Sequence, residues 1–250
     1  MTNEKNAVRL LGISFENLSE EDAKKRIKHL LSEKKGAKIF TPNPDMLWQA
    51  SRSPQNKALL DAADLLLPDG VGVTLAARLC GTPLKARPAG IDTAEWLMEY
   101  AAKNGHSLYL LGGKAGVADQ AAERLRERFP ALRICGTHHG YFDHAAHSAE
   151  NQAVLTDIRA KNPDILFVCF GFPLQERWIV ENTRDLPSLS LAMGLGGSLD
   201  VWSGNLRRAP RPLRACGMEW LWRTLCEPRR IRTLLKIPPF LLTAVKQKQP

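Results

Sequence analysis

From Ile165 to Phe170 the chain reads Ile-Leu-Phe-Val-Cys-Phe, six apolar residues in a row between Pro163-Asp164 and Gly171-Phe172-Pro173. A strand with one wet face alternates apolar and polar side chains. An unbroken run bounded by turn residues is instead the pattern of a strand buried on both faces of a parallel sheet, with helices covering it on either side. Behind the run, Gly171 and Pro173 end the strand, and Gln175, Glu176 and Arg177 open a helix. In an open α/β sheet such a strand-to-helix turn lies at the carboxyl edge, where ligands bind. One such loop, taken alone, reads equally well as an ordinary connection with solvated polar residues, so the other loops must decide.

The rest of the chain repeats the unit. Val8 to Phe15 predicts a short strand or hairpin, and Ser19 is placed to cap a helix running to about Lys35, with Asp22 at the capping-box position. A strand from Lys38 to Thr41 ends in Thr-Pro-Asn-Pro-Asp, where Pro44 can open a helix through Ser51. A helix from about Pro54 to Ala63 precedes the strand Leu65 to Leu67, which stops at Pro68-Asp69-Gly70 before a helix through Leu79. A helix from Ile91 to Lys103 leads to a strand from Leu108 to Leu111, then Gly112-Gly113-Lys114 and a helix from Ala115 to Phe129. A strand from Arg133 to Gly136, a helix from Ala149 to Lys161 and a strand from Leu189 to Met193 complete the pattern. Strand and helix alternate at least five times, which predicts a Rossmann-like α/β fold with a mostly parallel sheet. At 250 residues the chain suits one such domain, expected over residues 1–205, with a C-terminal helical appendage over 206–250.

Charge separates these two parts. Residues 206–250 hold eleven basic and two acidic residues, and the other 24 basic residues are balanced by 24 acidic ones, so the whole net charge of +9 belongs to the tail. A nucleic-acid-binding reading of the entire protein from its basicity is therefore misplaced, although the tail alone keeps that reading open as a competitor. Trp220, Leu221, Trp222, Leu225, Ile231, Leu234, Leu235 and Phe240 add apolar and aromatic surface to the same segment. Such a segment suits an anionic bilayer surface, and it also suits a helix pair packed on the domain or on another subunit. Five cysteines form an odd set without a Cys-x-x-Cys pair, so reduced thiols are expected, and with them a cytoplasmic setting at the inner face of the membrane. Met1 to Asn6 is polar, so no signal peptide is expected.

Several predicted strands end in residues that bulk structure does not require: Thr41 and Asn43, Asp69, Gly112 and Gly113, Gly171 with Gln175 and Glu176, and Gly196 with Gly197. In a parallel sheet these ends share one edge, and one ligand could touch them all. None of the loops is a Walker A or a Gly-x-Gly-x-x-Gly sequence, so ATPases lack their fingerprint here, as does an NAD(P)-dependent oxidoreductase, the main alternative for such an alternating pattern. His138 and His139 have no partnering Cys, His or carboxylate at metal-site spacing. No Asp-x-Asp occurs either, so an enzyme acting on nucleotide sugars would have to stabilise its leaving diphosphate with arginines, lysines and backbone N–H groups.

Thr41-Pro42-Asn43-Pro44-Asp45, Leu67 to Gly72, Leu111 to Lys114, Gly136 to Phe142, Gly171 to Trp178, Gly196 to Asp200 with Arg207 to Pro210, and Gly217 to Arg223 with Glu227 to Arg230 follow one another along the chain. Taken together, these blocks closely resemble the WecG/TagA/CpsF family of bacterial glycosyltransferases, in order from about residue 8 to 240. The resemblance implies transfer of N-acetylmannosamine or its uronic acid from UDP to N-acetylglucosamine on undecaprenyl diphosphate, in cell-surface polysaccharide or teichoic acid synthesis. The expected reaction is inverting, with no metal and no cofactor. Its partners are the UDP-sugar donor, the lipid-linked acceptor and, through the tail, an anionic membrane, with no nucleic acid and with a homo-oligomer allowed for. By family position Asp69 is the expected base, with Thr41 and Asn43 orienting it or the acceptor. Gly112, Gly113, Gly171, Gln175, Glu176 and Gly197 are expected at the donor, Arg87 at its diphosphate, and Arg223, Arg229, Arg230 or Arg232 at the diphosphate of the lipid. Leu199, where relatives usually carry an aromatic residue, and Phe172, often small in them, depart from the family pattern in presumed donor loops.

Overall fold

The computed structural model describes residues 7–226 and 235–246, without the side chains at 211, 215 and 223. The hairpin β1 (Ala7–Leu10) and β2 (Ile13–Glu16) stands apart from the main sheet. The sheet contains β3 (Ala37–Phe40), β4 (Leu65–Leu66), β5 (Ser107–Gly112), β6 (Arg133–His138), β7 (Ile165–Cys169) and β8 (Leu191–Gly194) in the order β4-β3-β8-β7-β5-β6. Every pairing in it is parallel. The apolar run of the sequence is β7, paired on both sides and buried along its whole length, as are β5 and β8.

Between the strands lie α1 (Glu20–Glu33), α2 (Pro44–Ala50), α3 (Pro54–Asp61), α4 (Val71–Leu79), α5 (Gly90–Asn104), α6 (Val117–Arg128), α7 (Ala149–Lys161) and α8 (Leu174–Asn182). After β8 come α9 (Ser198–Trp202), α10 (Arg211–Ala215), α11 (Glu219–Cys226) and α12 (Ile237–Lys246). Because successive side chains of a strand point to opposite faces, Leu108, Leu110, Ile165 and Phe167 enter one core layer, with α1, α5 and α6. Tyr109, Leu111, Leu166 and Val168 enter the other, with α2, α4, α7 and α8. The Ser19 hydroxyl does cap α1, accepting from the Asp22 N–H at 3.1 Å.

The C-terminal segment packs on the domain. Helix α12 lies against α2 and α4, burying Phe240 completely and Ala244 nearly so. Among the described residues no helix is long and apolar enough to cross a membrane.

Candidate active site

In a parallel sheet all strand ends face one rim, and here two hollows open along it. The first, of about 190 Å³, lies beyond β3, β4 and β8. The ladder between β3 and β4 continues past the strands: Leu67 N–H donates to Phe40 O at 2.9 Å and Asp69 N–H to Pro42 O at 3.1 Å. Those two bonds hold Asp69 beside Thr41 and Asn43, and all three line the hollow. Gly70, at φ 85°, then turns the chain into α4, a backbone region that favours glycine. Asn43 caps α2 through Oδ1, which accepts from the N–H groups of Asp45 (3.0 Å) and Met46 (3.1 Å), so Nδ2 is the end of its amide left to donate to a ligand. Gly90 lets α5 close on Thr41, because a Cβ there would meet Thr41 Oγ1 at 2.8 Å.

The same hollow is suited to an anion. Helices α4 and α5 both start on it, from Gly70 and Ala89, neither of which makes a side-chain cap. Their first N–H groups, with the Arg87 guanidinium and the Lys236 ammonium, set positive potential beside the Asp69 carboxylate. Lys236 also reaches Asp45 Oδ1 at 2.6 Å, tying the start of α12 to α2. The outer wall comes from the C-terminal segment, chiefly Trp220 and Thr224 of α11. That wall is anchored by Arg208, whose mostly buried side chain pairs with Asp92 and Glu95 of α5 and with Glu219.

The second hollow, of about 730 Å³, opens at the exits of β5 and β7. From β5 the chain turns outward to β6, and from β7 it turns the other way to β8, so this is a topological switch point of the sheet. Gly113, Lys114, Gly171, Gly196 and Gly197 line one side. The other is aromatic: His144 lies 4.2 Å from Phe142 and 4.6 Å from Phe170 between ring centroids, and Tyr141 stands 70% exposed at the rim. Burial pushes the His144 imidazole below its usual pKa, which favours the neutral ring over the cation. The turn after β8 divides the hollows, with Leu195 and Ser198 in the first and Gly196 and Gly197 in the second.

The model of the Glycosyl transferase WecG/TagA/CpsF family matches residues 8–250. The chain belongs to this family. A Bacillus spizizenii relative is 36% identical over 88% of this chain and 82% of its own length, and one from Bacillus subtilis is 34% identical over 89% and 84%. A Staphylococcus aureus relative is 32% identical over 97% and 93%. All three are named N-acetylglucosaminyldiphosphoundecaprenol N-acetyl-beta-D-mannosaminyltransferase.

In this WecG/TagA/CpsF glycosyltransferase the strand-end residues therefore fall into two groups. Thr41, Asn43, Asp69 and Arg87 meet in the first hollow, and Gly113, Gly171 and Gly197 in the second. Gly112 lines neither; at φ 139° it lets β5 pass β7, where a Cβ would sit 2.5 Å from Cys169 O. Gln175 and Glu176, expected at the donor, are buried and also line neither hollow. Leu199 faces the core rather than a donor loop. Arg229, Arg230 and Arg232 and the Arg223 side chain lie outside the described residues. Sequence reasoning missed Asp45, Lys236 and Glu219 in the first hollow and Lys114, His144 and Asp200 in the second. Asp45, Lys114, Asp200 and Glu219 stand inside blocks already singled out; Lys236, counted there only toward the charge of the tail, had no such signal.

Proposed function

We propose that the protein moves N-acetylmannosamine from UDP onto N-acetylglucosamine carried by undecaprenyl diphosphate, inverting the anomeric carbon, for cell-surface polysaccharide or teichoic acid synthesis. The observation that carries this reading is the pair of hollows sharing the β8 turn as their wall: an aromatic, glycine-lined one sized for a nucleotide beside one that holds a carboxylate and a cation cluster. The relatives' name specifies a β-linked product, and from an α-linked UDP donor one displacement with inversion gives that stereochemistry.

In that step the acceptor hydroxyl oxygen bonds to the anomeric carbon as the bond to the UDP oxygen breaks on the opposite face. The Asp69 carboxylate takes the hydroxyl proton, and the electron pair leaves with UDP. Thr41 and the Asn43 Nδ2 orient the sugar or the base. The second hollow takes the nucleoside, whose planar base suits the wall of Tyr141, Phe142 and His144, and its glycines allow close backbone approach. Arg87 and the starts of α4 and α5 compensate diphosphate charge without a metal. The test is turnover of UDP-N-acetylmannosamine and of its uronic acid with a synthetic lipid-linked acceptor. UDP release with the first donor, giving a β-linked product, is expected; absence of release with both would overturn the reading.

The acceptor's lipid brings the enzyme to the inner face of the cell membrane, with residues 206–250 as the attaching segment. Leu225, Leu235 and Leu242 are 70%, 71% and 64% exposed there, within the most basic part of the chain. Each cation near an anionic bilayer contributes on the order of 1 kcal/mol, and each leucine that enters it contributes a further ~1 kcal/mol. Replacing all three leucines by serine is expected to weaken sedimentation with phosphatidylglycerol liposomes on the order of 10²-fold while UDP affinity stays the same. Undiminished sedimentation would remove these helices from the role.

A further inference from the structure

Gln175 and Glu176, buried and lining neither hollow, are joined in a way the core does not require. The Gln175 side-chain carbonyl accepts from the N–H of Gly171 at 3.2 Å and from the N–H of Gly196 at 2.9 Å. One amide thereby ties the exit turn of β7 to that of β8. Its other end, Nε2, donates to Glu176 Oε1 at 2.8 Å. Both side chains press against the end of β8, where a Cβ on Gly194 would meet Gln175 Nε2 at 2.9 Å and Glu176 Oε1 at 3.3 Å. Glu176 is wholly inaccessible to solvent, and its Oε2 has no hydrogen-bond partner among the described residues.

A buried carboxyl with one unpartnered oxygen is costly, and a leucine would fill a similar volume. What a leucine lacks is an acceptor. An amide can rotate end for end, and with Nε2 turned toward Gly171 and Gly196, N–H would face N–H and both bonds would be lost. The acceptor at Glu176 adds a third bond to the one favourable orientation and holds Nε2, the end that the turns leave free, in place. The turn so held is the wall between the two hollows.

We propose that Glu176 is a positioning residue for the transfer reaction, acting through Gln175 to fix the β8 turn and with it the spacing between the nucleotide hollow and the hollow of Asp69. The inference rests on the reading of those hollows given under Proposed function. Misplacing reacting groups by about 1 Å can cost about 10²-fold in rate, so the effect belongs in kcat more than in the affinity of either substrate.

The test compares the wild-type enzyme with Glu176→Leu, Glu176→Gln and Gln175→Met, with kcat normalised to the fraction of protein that binds UDP by calorimetry. Glu176→Leu is expected to lower kcat on the order of 10²-fold with the UDP Kd changed less than about threefold, and Glu176→Gln, which restores an acceptor, to return kcat to within about threefold of wild type. Equal kcat in the leucine and glutamine variants would overturn the proposal. If the leucine variant does not fold, Gln175→Met, which loses the same two turn bonds with Glu176 intact, decides: wild-type kcat in it also overturns the proposal. A wild-type protein that neither binds UDP nor turns over would instead sink the reading of the hollows.

Discussion

Asp69→Asn is expected to lower turnover by about 10²–10⁴-fold with the fold intact, the amount general-base catalysis typically contributes. The substitution keeps size and polarity and removes the carboxylate's negative charge and with it the ability to take a proton. Local structure should tolerate it. The residue's backbone N–H, not its carboxylate, makes the bond to Pro42 O, and the turn into α4 depends on Gly70 at φ 85°. Asparagine is as common as aspartate in such turns. UDP affinity should not fall, because the nucleotide hollow does not include Asp69 and loss of its negative charge beside Arg87 leaves the diphosphate no less favourably placed. Initial rates of UDP release, a thermal melt and calorimetric titration with UDP form the measurement. Wild-type turnover would take the base role from Asp69. A parallel loss of UDP affinity would mean that the two hollows are not separate sites.

Fold class was legible because the run Ile165 to Phe170 admits few alternatives, and because Pro and Gly mark the strand ends at positions 42–44, 68–70 and 171–173. Strand order was not, since nothing local says that β8 inserts between β3 and β7. That insertion turns a single expected edge into two hollows, by placing the Leu195 to Ser198 turn between the Asp69 corner and the Gly171 corner. The burial of Gln175 and Glu176 was not legible either, for a physical reason. Polar residues opening a helix are normally solvated, and only the close approach of α8 to the end of β8, where Gly194 leaves room, encloses them. Composition also could not say that Phe240 would pack on the domain while Leu242, two residues on, would stay exposed, because that choice depends on the groove between α2 and α4.

Glu176 gives a second large effect, on stability instead of rate. Burial pushes its carboxyl up to about 7 from 4.5, with the Gln175 hydrogen bond opposing the rise. Below pH 4.5 the group is neutral in the folded and unfolded chain alike and imposes no penalty. As pH rises from there toward 7 the unfolded chain releases this proton while the folded protein retains it. Stability therefore falls across that window and stays lowered above it. At about 1.4 kcal/mol for each pH unit between the two values, the loss is about 3 kcal/mol. Other groups titrate over the same range, so the informative quantity is the difference between Glu176→Gln and wild type, since glutamine stays uncharged throughout. Urea unfolding at pH 4.5, 6 and 8 should show the variant gaining on the wild type by about 3 kcal/mol from the lowest pH to the highest. A difference that stays flat with pH would show that the carboxyl ionises in the folded protein as readily as in the unfolded chain, in which case the site is wetter than its enclosure by α8 and β8 implies.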